Sequence, residues 1–268
     1  QDPDCVRRLT LENDLGTTYW TLGELTKAEA ELQKSLETWR GSAHVEALSH
    51  MHLSFVRMTQ GRTREALGLA EEAIDYSRRL GSLTFEADAT HHLGVIYFQN
   101  GQLAKAREWM ECALQQMRGV GDLYRESRIL STLLGVYAML GDSVAAERTV
   151  SEIEAVLQVV SNPLVLGFTA QAKGFLALHY KDYERARVLF KTAEAFGRKY
   201  QFREFLCLVL LSRARLKKQP ESLLREALEL ATRHGFRLQE YHIRVQLKDE
   251  RAGEVLEFLR ANAPEGWF

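Results

Sequence analysis

The sequence predicts an all-α protein built from repeated antiparallel helix pairs, and three observations lead there. Alanines at 28, 66, 106, 146 and 186 fall 38, 40, 40 and 40 residues apart. Glycines at 23, 61, 101 and 141 keep the same spacing. Between these markers apolar residues recur every three or four positions, the period of a helix with one buried face. Self-similarity at a fixed period of this length is the mark of a stacked repeat array.

The units can be taken in order. Leu15-Gly16-x-x-Tyr19-x-x-x-Gly23-x-x-x-x-Ala28 opens the array, and Leu93-Gly94-x-x-Tyr97-x-x-x-Gly101-x-x-x-x-Ala106 matches it position for position. Gly61…Ala66, Gly141…Ala146 and Gly174…Ala186 fit the same frame. In unit two Ser54 replaces the first glycine and Arg57 the tyrosine. In unit three, Ala89, Leu93, Ile96 and Tyr97 form one face of the first helix, and Leu103, Ala106, Met110, Ala113 and Leu114 form the face of the second. Gly101 can take the left-handed conformation that ends a helix. Gly94 and Ala106 are small enough to let the two backbones approach, and a short turn makes the helices antiparallel. Leu80-Gly81-Ser82, Val120-Gly121-Asp122 and Ser161-Asn162-Pro163 close units with a helix stop followed by a polar N-cap or a proline. A sixth unit runs from about Phe205 to Gly235, its turn formed by Gln219-Pro220.

The Leu-Gly-x-x-Tyr, Gly, Ala spacing resembles the tetratricopeptide repeat, over roughly residues 9–235. The unit is longer than that family's common length and, with its Leu-Gly or Gly-Asp joints, resembles the sensor domains of maltose-activator-like bacterial transcription regulators. The resemblance implies a right-handed superhelical solenoid in which each unit touches only its neighbours, first helices lining the concave side and second helices the outer wall. It also implies binding rather than catalysis, with a peptide, a partner protein or a small effector in the groove. Laying the family frame on this chain places Asn13, Thr17, Trp20, Phe55, Met58, His91, Val95, Phe98, Arg128, Gln171, Phe175 and Arg213 in that groove. The family's clamp for C-terminal carboxylates is not expected, because only Asn13 matches it, while Thr17 and Phe55 stand where further polar residues are wanted.

Other functions are weighed against composition. A net charge of -1 argues against a dedicated nucleic-acid binder. Between Lys181 and Lys218 eleven basic residues face four acidic ones, leaving the rest of the chain acidic; this reads as a docking face for an acidic partner or as a solvated helix surface. His50/His52 and His91/His92 lack the four-residue spacing with which one helix grips zinc, so neither metal nor cofactor is expected. No phosphate loop, dinucleotide fingerprint or nucleophile elbow occurs, so no enzyme is expected. Three widely spaced cysteines fit a reducing, cytoplasmic setting rather than a disulfide scaffold. No apolar run is long enough to span a membrane.

Residues 1–235 are thus expected to form six helix pairs and 236–268 a C-terminal cap or irregular tail. Tyr241, Ile243, Val245 and Leu247 alternate as in a strand, but a lone strand needs a partner edge; a continued helix followed by a capping helix from about Glu250 to Asn262 is the alternative. Trp267-Phe268 forms an exposed aromatic end, a candidate homodimer contact, unless it folds back. Gln1-Asp2-Pro3-Asp4 looks like a cut site, as if the chain were one domain of a larger regulator. A stand-alone assembly scaffold is the alternative function.

Overall fold

The structure, a computed structural model, describes residues 13–160, 163–216 and 220–268. Expectations that fall on Gln1–Asp4, Cys5, Ser161, Asn162, Lys217, Lys218 and Gln219 lie outside the described residues. Within them the chain is all-helical, with no strand. A first helix over 13–21 (α1) is followed by α2 (Leu25–Thr38), α3 (Ala43–Thr59), α4 (Thr63–Leu80), α5 (Leu83–Gln99), α6 (Leu103–Val120), α7 (Leu123–Leu140), α8 (Ser143–Leu157), α9 (Pro163–His179), α10 (Tyr183–Lys199), α11 (Arg203–Ala214), α12 (Pro220–His234), α13 (Arg237–Leu247) and α14 (Ala252–Asn262). Each odd helix and its even successor form an antiparallel pair, and the pairs stack into a right-handed solenoid.

The repeated residues do the work their chemistry allows. Gly23, Gly61, Gly101 and Gly141 all turn the chain at φ between 76° and 78°, a left-handed conformation that costs glycine nothing. Ala28, Ala66, Ala106, Ala146 and Ala186 are fully buried where paired helices cross. Opposite Ala106, a Cβ on Gly94 would stand 2.7 Å from Met110 Cγ and 3.4 Å from the Ala106 carbonyl oxygen, so only glycine permits this approach. Ser82, Asp122, Asp142 and Asp182 cap α5, α7, α8 and α10 by accepting from the backbone N–H three residues on. Unit five departs from the expected frame. Gly174 lies inside α9 against Phe190, and the turn is made by Lys181, a non-glycine residue at φ 60°.

The segment 241–247 is helical. Ile243 is fully buried while Val245 is 51% exposed, so the alternation of apolar residues does not set the packing. Glu240 and Arg244, one helical turn apart, form a buried ion pair at 2.7 Å, a contact that a strand would break by holding residues four apart about 13 Å from each other. The α13–α14 pair therefore extends the array by a seventh stacked unit. The terminal aromatics fold back: Trp267 lies 5.4 Å from the Tyr97 ring, and Phe268 packs on Leu238, Val255 and Leu259.

Units do not touch only their neighbours. The superhelix completes a turn, and α1–α5 meet α11–α14. Leu25, Leu32, Leu53 and Val56 share one apolar cluster with Leu206, Leu210, Ala231 and Phe236. His234 Nδ1 bonds to the Gly23 carbonyl at 3.2 Å, and Arg64 donates to the Ala263 carbonyl at 2.6 Å. Gly61 packs under Leu259 and Arg237, whose side chains would stand within 2.7 and 2.9 Å of an added Cβ. The expected one-dimensional array is thus a ring-like turn, closed by contacts across more than 200 residues of sequence.

At the closure lies a buried polar knot. Glu204, 2% exposed on α11, accepts from Thr59 Oγ1 of α3 and Gln239 Nε2 of α13, both at 3.2 Å. Thr59 Oγ1 accepts from Trp20 Nε1 at 3.0 Å, and Gln239 also donates to Gln99 at 3.3 Å. Burial pushes the Glu204 carboxyl up to about 7, against the opposing pull of hydrogen bonds from Thr59, Gln99 and Gln239.

Candidate binding channel

The concave side of the turn is lined almost wholly by odd helices and holds two cavities. The forty-residue period explains their lining. Leu48, Asp88, Arg128, Phe168 and Leu208 occupy one frame position, and Phe55, Val95, Gly135, Phe175 and Arg215 another. All ten line one cavity or the other. The starts of α5 and α7 serve the first cavity and their ends the second.

The first cavity, about 540 Å³, lies among α1, α3, α5 and α7. Trp20 stacks on Phe55 at 5.1 Å, and Phe55 lies 4.0 Å from the His92 ring. Arg125 and Arg128 converge on Asp88, each at 2.8 Å from a separate carboxylate oxygen. Asp88 is 4% exposed, so its charge is held by that pair. Burial, then Arg128, lowers His52 to about 4 and holds His91 and His92 well below the usual histidine range. The Nδ1 atoms of His91 and His92 and the Nε of Arg128 have no partner. Although His52 and His92 approach to 6.5 Å, no group of three or more His, Cys, Asp or Glu among the described residues is placed to hold a metal ion.

The second cavity, about 460 Å³, opens among α5, α7, α9, α11 and α13 and the returning tail. Its walls are Phe98, Phe168, Phe175, Leu208, Leu211 and Trp267, with the amides of Gln99, Asn100, Gln171, Gln239 and Gln246 between them. Among the described residues no Asp or Glu lines it, and Arg215 is the one Lys or Arg that does.

The residues expected in the groove divide three ways. Asn13, Thr17, Trp20, Phe55 and Arg128 line the first cavity, and Val95, Phe98, Gln171 and Phe175 the second. Asn13 is itself tied down, bonded to Ser35 at 3.4 Å and Ser49 at 3.2 Å. Met58, His91 and Arg213 line neither cavity. Met58 is 2% exposed and packs with Ala66, Ala70 and Ile96. His91 is 3% exposed and bonded to Thr132 at 2.7 Å. Arg213 points away from the channel to pair with Glu194. It stands two residues short of the frame position that Arg215 fills, and two residues turn a helix by about 200°. Projecting the period from Phe175 finds Arg215 directly. The basic run is likewise dispersed: Arg198 pairs with Glu194 and Glu226 at 2.8 and 2.6 Å, and Arg187 with Glu184 at 2.6 Å, as on a solvated outer wall.

Two family models, each described as a tetratricopeptide repeat, match residues 13–41 and 85–158. The human protein described as "Cell division cycle protein 16 homolog" is 25% identical over 113 residues, 42% of this chain and 18% of that protein, so the match spans less than a fifth of the relative's length. Among solved structures, a Rap protein complexed with Competence and Sporulation Factor superposes with TM-score 0.65 at 11% identity, covering 96% of this chain and 87% of that one. A signal-transduction ATPase with numerous domains and a tetratricopeptide repeat sensor, from Pyrococcus horikoshii, superposes with TM-score 0.52 at 16% identity, covering 90% of this chain and 40% of that one. At these identities the likeness shows the fold. Repeats of this type are typically non-catalytic protein-interaction scaffolds. Over residues 13–41 and 85–158 the chain matches tetratricopeptide repeats, and the remaining helix pairs stack in the same fold.

Proposed function

We propose that the chain is the non-catalytic sensor or interaction domain of a bacterial signalling or transcription regulator, and that a peptide or partner segment lies along its concave channel. The observation that carries this reading is the channel itself: two cavities on one face, lined by aromatic rings and side-chain amides from successive repeats at fixed frame positions. Apolar anchors with interspersed amides suit an extended chain, whose side chains need pockets and whose backbone needs partners. Fold-level neighbours include one complexed with a named factor and a multidomain signal-transduction ATPase with a tetratricopeptide repeat sensor, of which this chain covers 40%. ATPase and DNA-binding functions would then reside in other parts of such a regulator.

The test is to block the channel. Val95→Trp fills the second cavity, whereas Val188→Trp, on the 64% exposed outer wall of α10, leaves both cavities open. A pool of free hexapeptides with apolar C-terminal residues is retained by the protein and by Val188→Trp and lost from Val95→Trp. Equal retention by both variants, or none by the unmodified protein, refutes the channel.

A further inference from the structure

After α14 the chain turns back to the channel. Residues 263–268 form neither helix nor strand, and Trp267 and Phe268 line the second cavity. The root of this stretch is fixed. Leu259 is fully buried over Gly61, Ala263 is 1% exposed, and the Ala263 carbonyl accepts from Arg64 of α4 at 2.6 Å. The tip is held differently. Trp267 lies against Tyr97 of α5, with ring centroids 5.4 Å apart and planes tilted by 42°, and Phe268 packs on Leu238 of α13. Both rings remain partly exposed.

Between root and tip the backbone is lightly held. The hydrogen bond that folds it back, from the Trp267 N–H to the Pro264 carbonyl, is 3.4 Å, longer than the usual range. Gly266 turns at φ 79°, and no atom stands within 4 Å of where its Cβ would be, so the bend lies in open space. A glycine free of packing, between a fixed root and a tip held by ring contacts, is a hinge. In chemistry the stretch resembles the ligand proposed above: a non-helical backbone that lays apolar rings among the aromatic walls of the second cavity.

We propose that residues 263–268 are an autoinhibitory strap, an occupant built into the chain, whose Trp267 and Phe268 take up part of the second cavity and swing away about Gly266 when a peptide enters. This rests on the channel reading above and adds to it the regulation of the same site. Partly buried ring contacts of this kind favour the closed strap by about ten-fold. A site that is open about one time in ten binds its ligand about ten-fold more weakly than one that is always open.

The experiment uses the full chain and the hexapeptide pool, with dissociation constants for the retained members. Trp267→Ala/Phe268→Ala is expected to bind them about ten-fold more tightly than the unmodified protein. A second measurement needs no variant that alters the strap. The protein is labelled with 5-fluorotryptophan, the Trp267 resonance is assigned with Trp267→Phe, and its solvent isotope shift is read with and without saturating peptide. The strap predicts that Trp267 becomes fully exposed to solvent when peptide binds. Equal affinity of the double variant and the unmodified protein overturns the strap and leaves the channel standing. Weaker binding by the double variant shows the rings to be a wall of the ligand site and also overturns the strap. If the double variant does not fold, the fluorine resonance decides, and a Trp267 that stays shielded at saturation overturns the strap. Retention of peptide by neither protein overturns both the strap and the channel.

Discussion

Replacing Glu204 by glutamine keeps the shape of the side chain and removes its proton equilibrium. Glu204 is held at the closure of the superhelical turn by Thr59 and Gln239, and burial raises its carboxyl from 4.5 to about 7. The folded protein thus binds a proton more tightly than the unfolded chain. Stability from this group is fully present below the unfolded value, falls as pH rises from there to about 7, and is level above. At about 1.4 kcal/mol per unit, the shift corresponds to a loss of about 3 kcal/mol across that window. Glu204→Gln imitates the protonated form and lacks this loss. No Lys, Arg or His contributes to the Glu204 shift, so the ionised form has no countercharge that glutamine would forfeit. The assay is urea unfolding of both proteins between about pH 5 and pH 8, followed by circular dichroism, with the difference taken at each pH. That difference cancels the opposing contribution of His52, His91 and His92, whose lowered values cost stability as pH falls below the ordinary histidine range. The variant should gain on the unmodified protein by about 3 kcal/mol as pH rises through the window. A difference that stays constant with pH would mean that Glu204 ionises as a solvated carboxylate and that the closure is not dry.

Three further perturbations follow from the same packing. Ala106→Phe, at a fully buried crossing against Gly94, should lower stability by about 1–3 kcal/mol through overpacking, and an unchanged melting temperature would contradict the close approach. Replacing Phe98 and Phe175 together by alanine should weaken binding of the hexapeptide pool and leave most helicity, at a cost of about 3 kcal/mol, since two half-buried rings leave the apolar core and Phe175 also loses its edge contact with Phe190; a double variant that unfolds would show these rings to be core. Asp88→Ala leaves Arg125 and Arg128 without their shared carboxylate and should cost about 2–3 kcal/mol in urea unfolding, whereas an unaltered midpoint would mean that both arginines are freely solvated.

What could be read from the sequence was what the local chain dictates. The period, the turn glycines, the buried alanines and the Ser82 and Asp122 caps all arise from interactions within a pair or between neighbours, and they repeat. Nine of the twelve residues placed in the groove line its cavities for the same reason. The misplacements have two causes: Met58 and His91 sit in units that keep their turn glycine but turn into the packing between helices, against Ala66 and Ile96 and onto Thr132, whereas at Arg213 a marker residue fails. In unit five Lys181 takes the turn that glycine fills elsewhere, and no side-chain pattern announces a left-handed lysine. In unit six the turn glycine is gone, so the frame laid on α11 falls two residues short and points to Arg213, whereas Arg215 lines the cavity. The closure was not legible at all. Thr59 and Glu204 are 145 residues apart, and what brings them together is the summed rotation of stacked pairs, which no single pair encodes. Nor does spacing along one helix reveal a cluster such as His52 and His92, which two helices build jointly.

The central claim is that ligands enter the concave channel, and photo-cross-linking tests it most directly. A benzophenone side chain is placed at Phe98 or Phe175 in the channel, or at Val188 or Val144 on the outer wall, where exposure is 64% and 82%. The labelled free-acid hexapeptide pool is added and the adducts are mapped by mass spectrometry. The account predicts adducts from the two channel positions, suppressed by unlabelled peptide, and none above background from the outer wall. Adducts from the outer wall with none from the channel would contradict it.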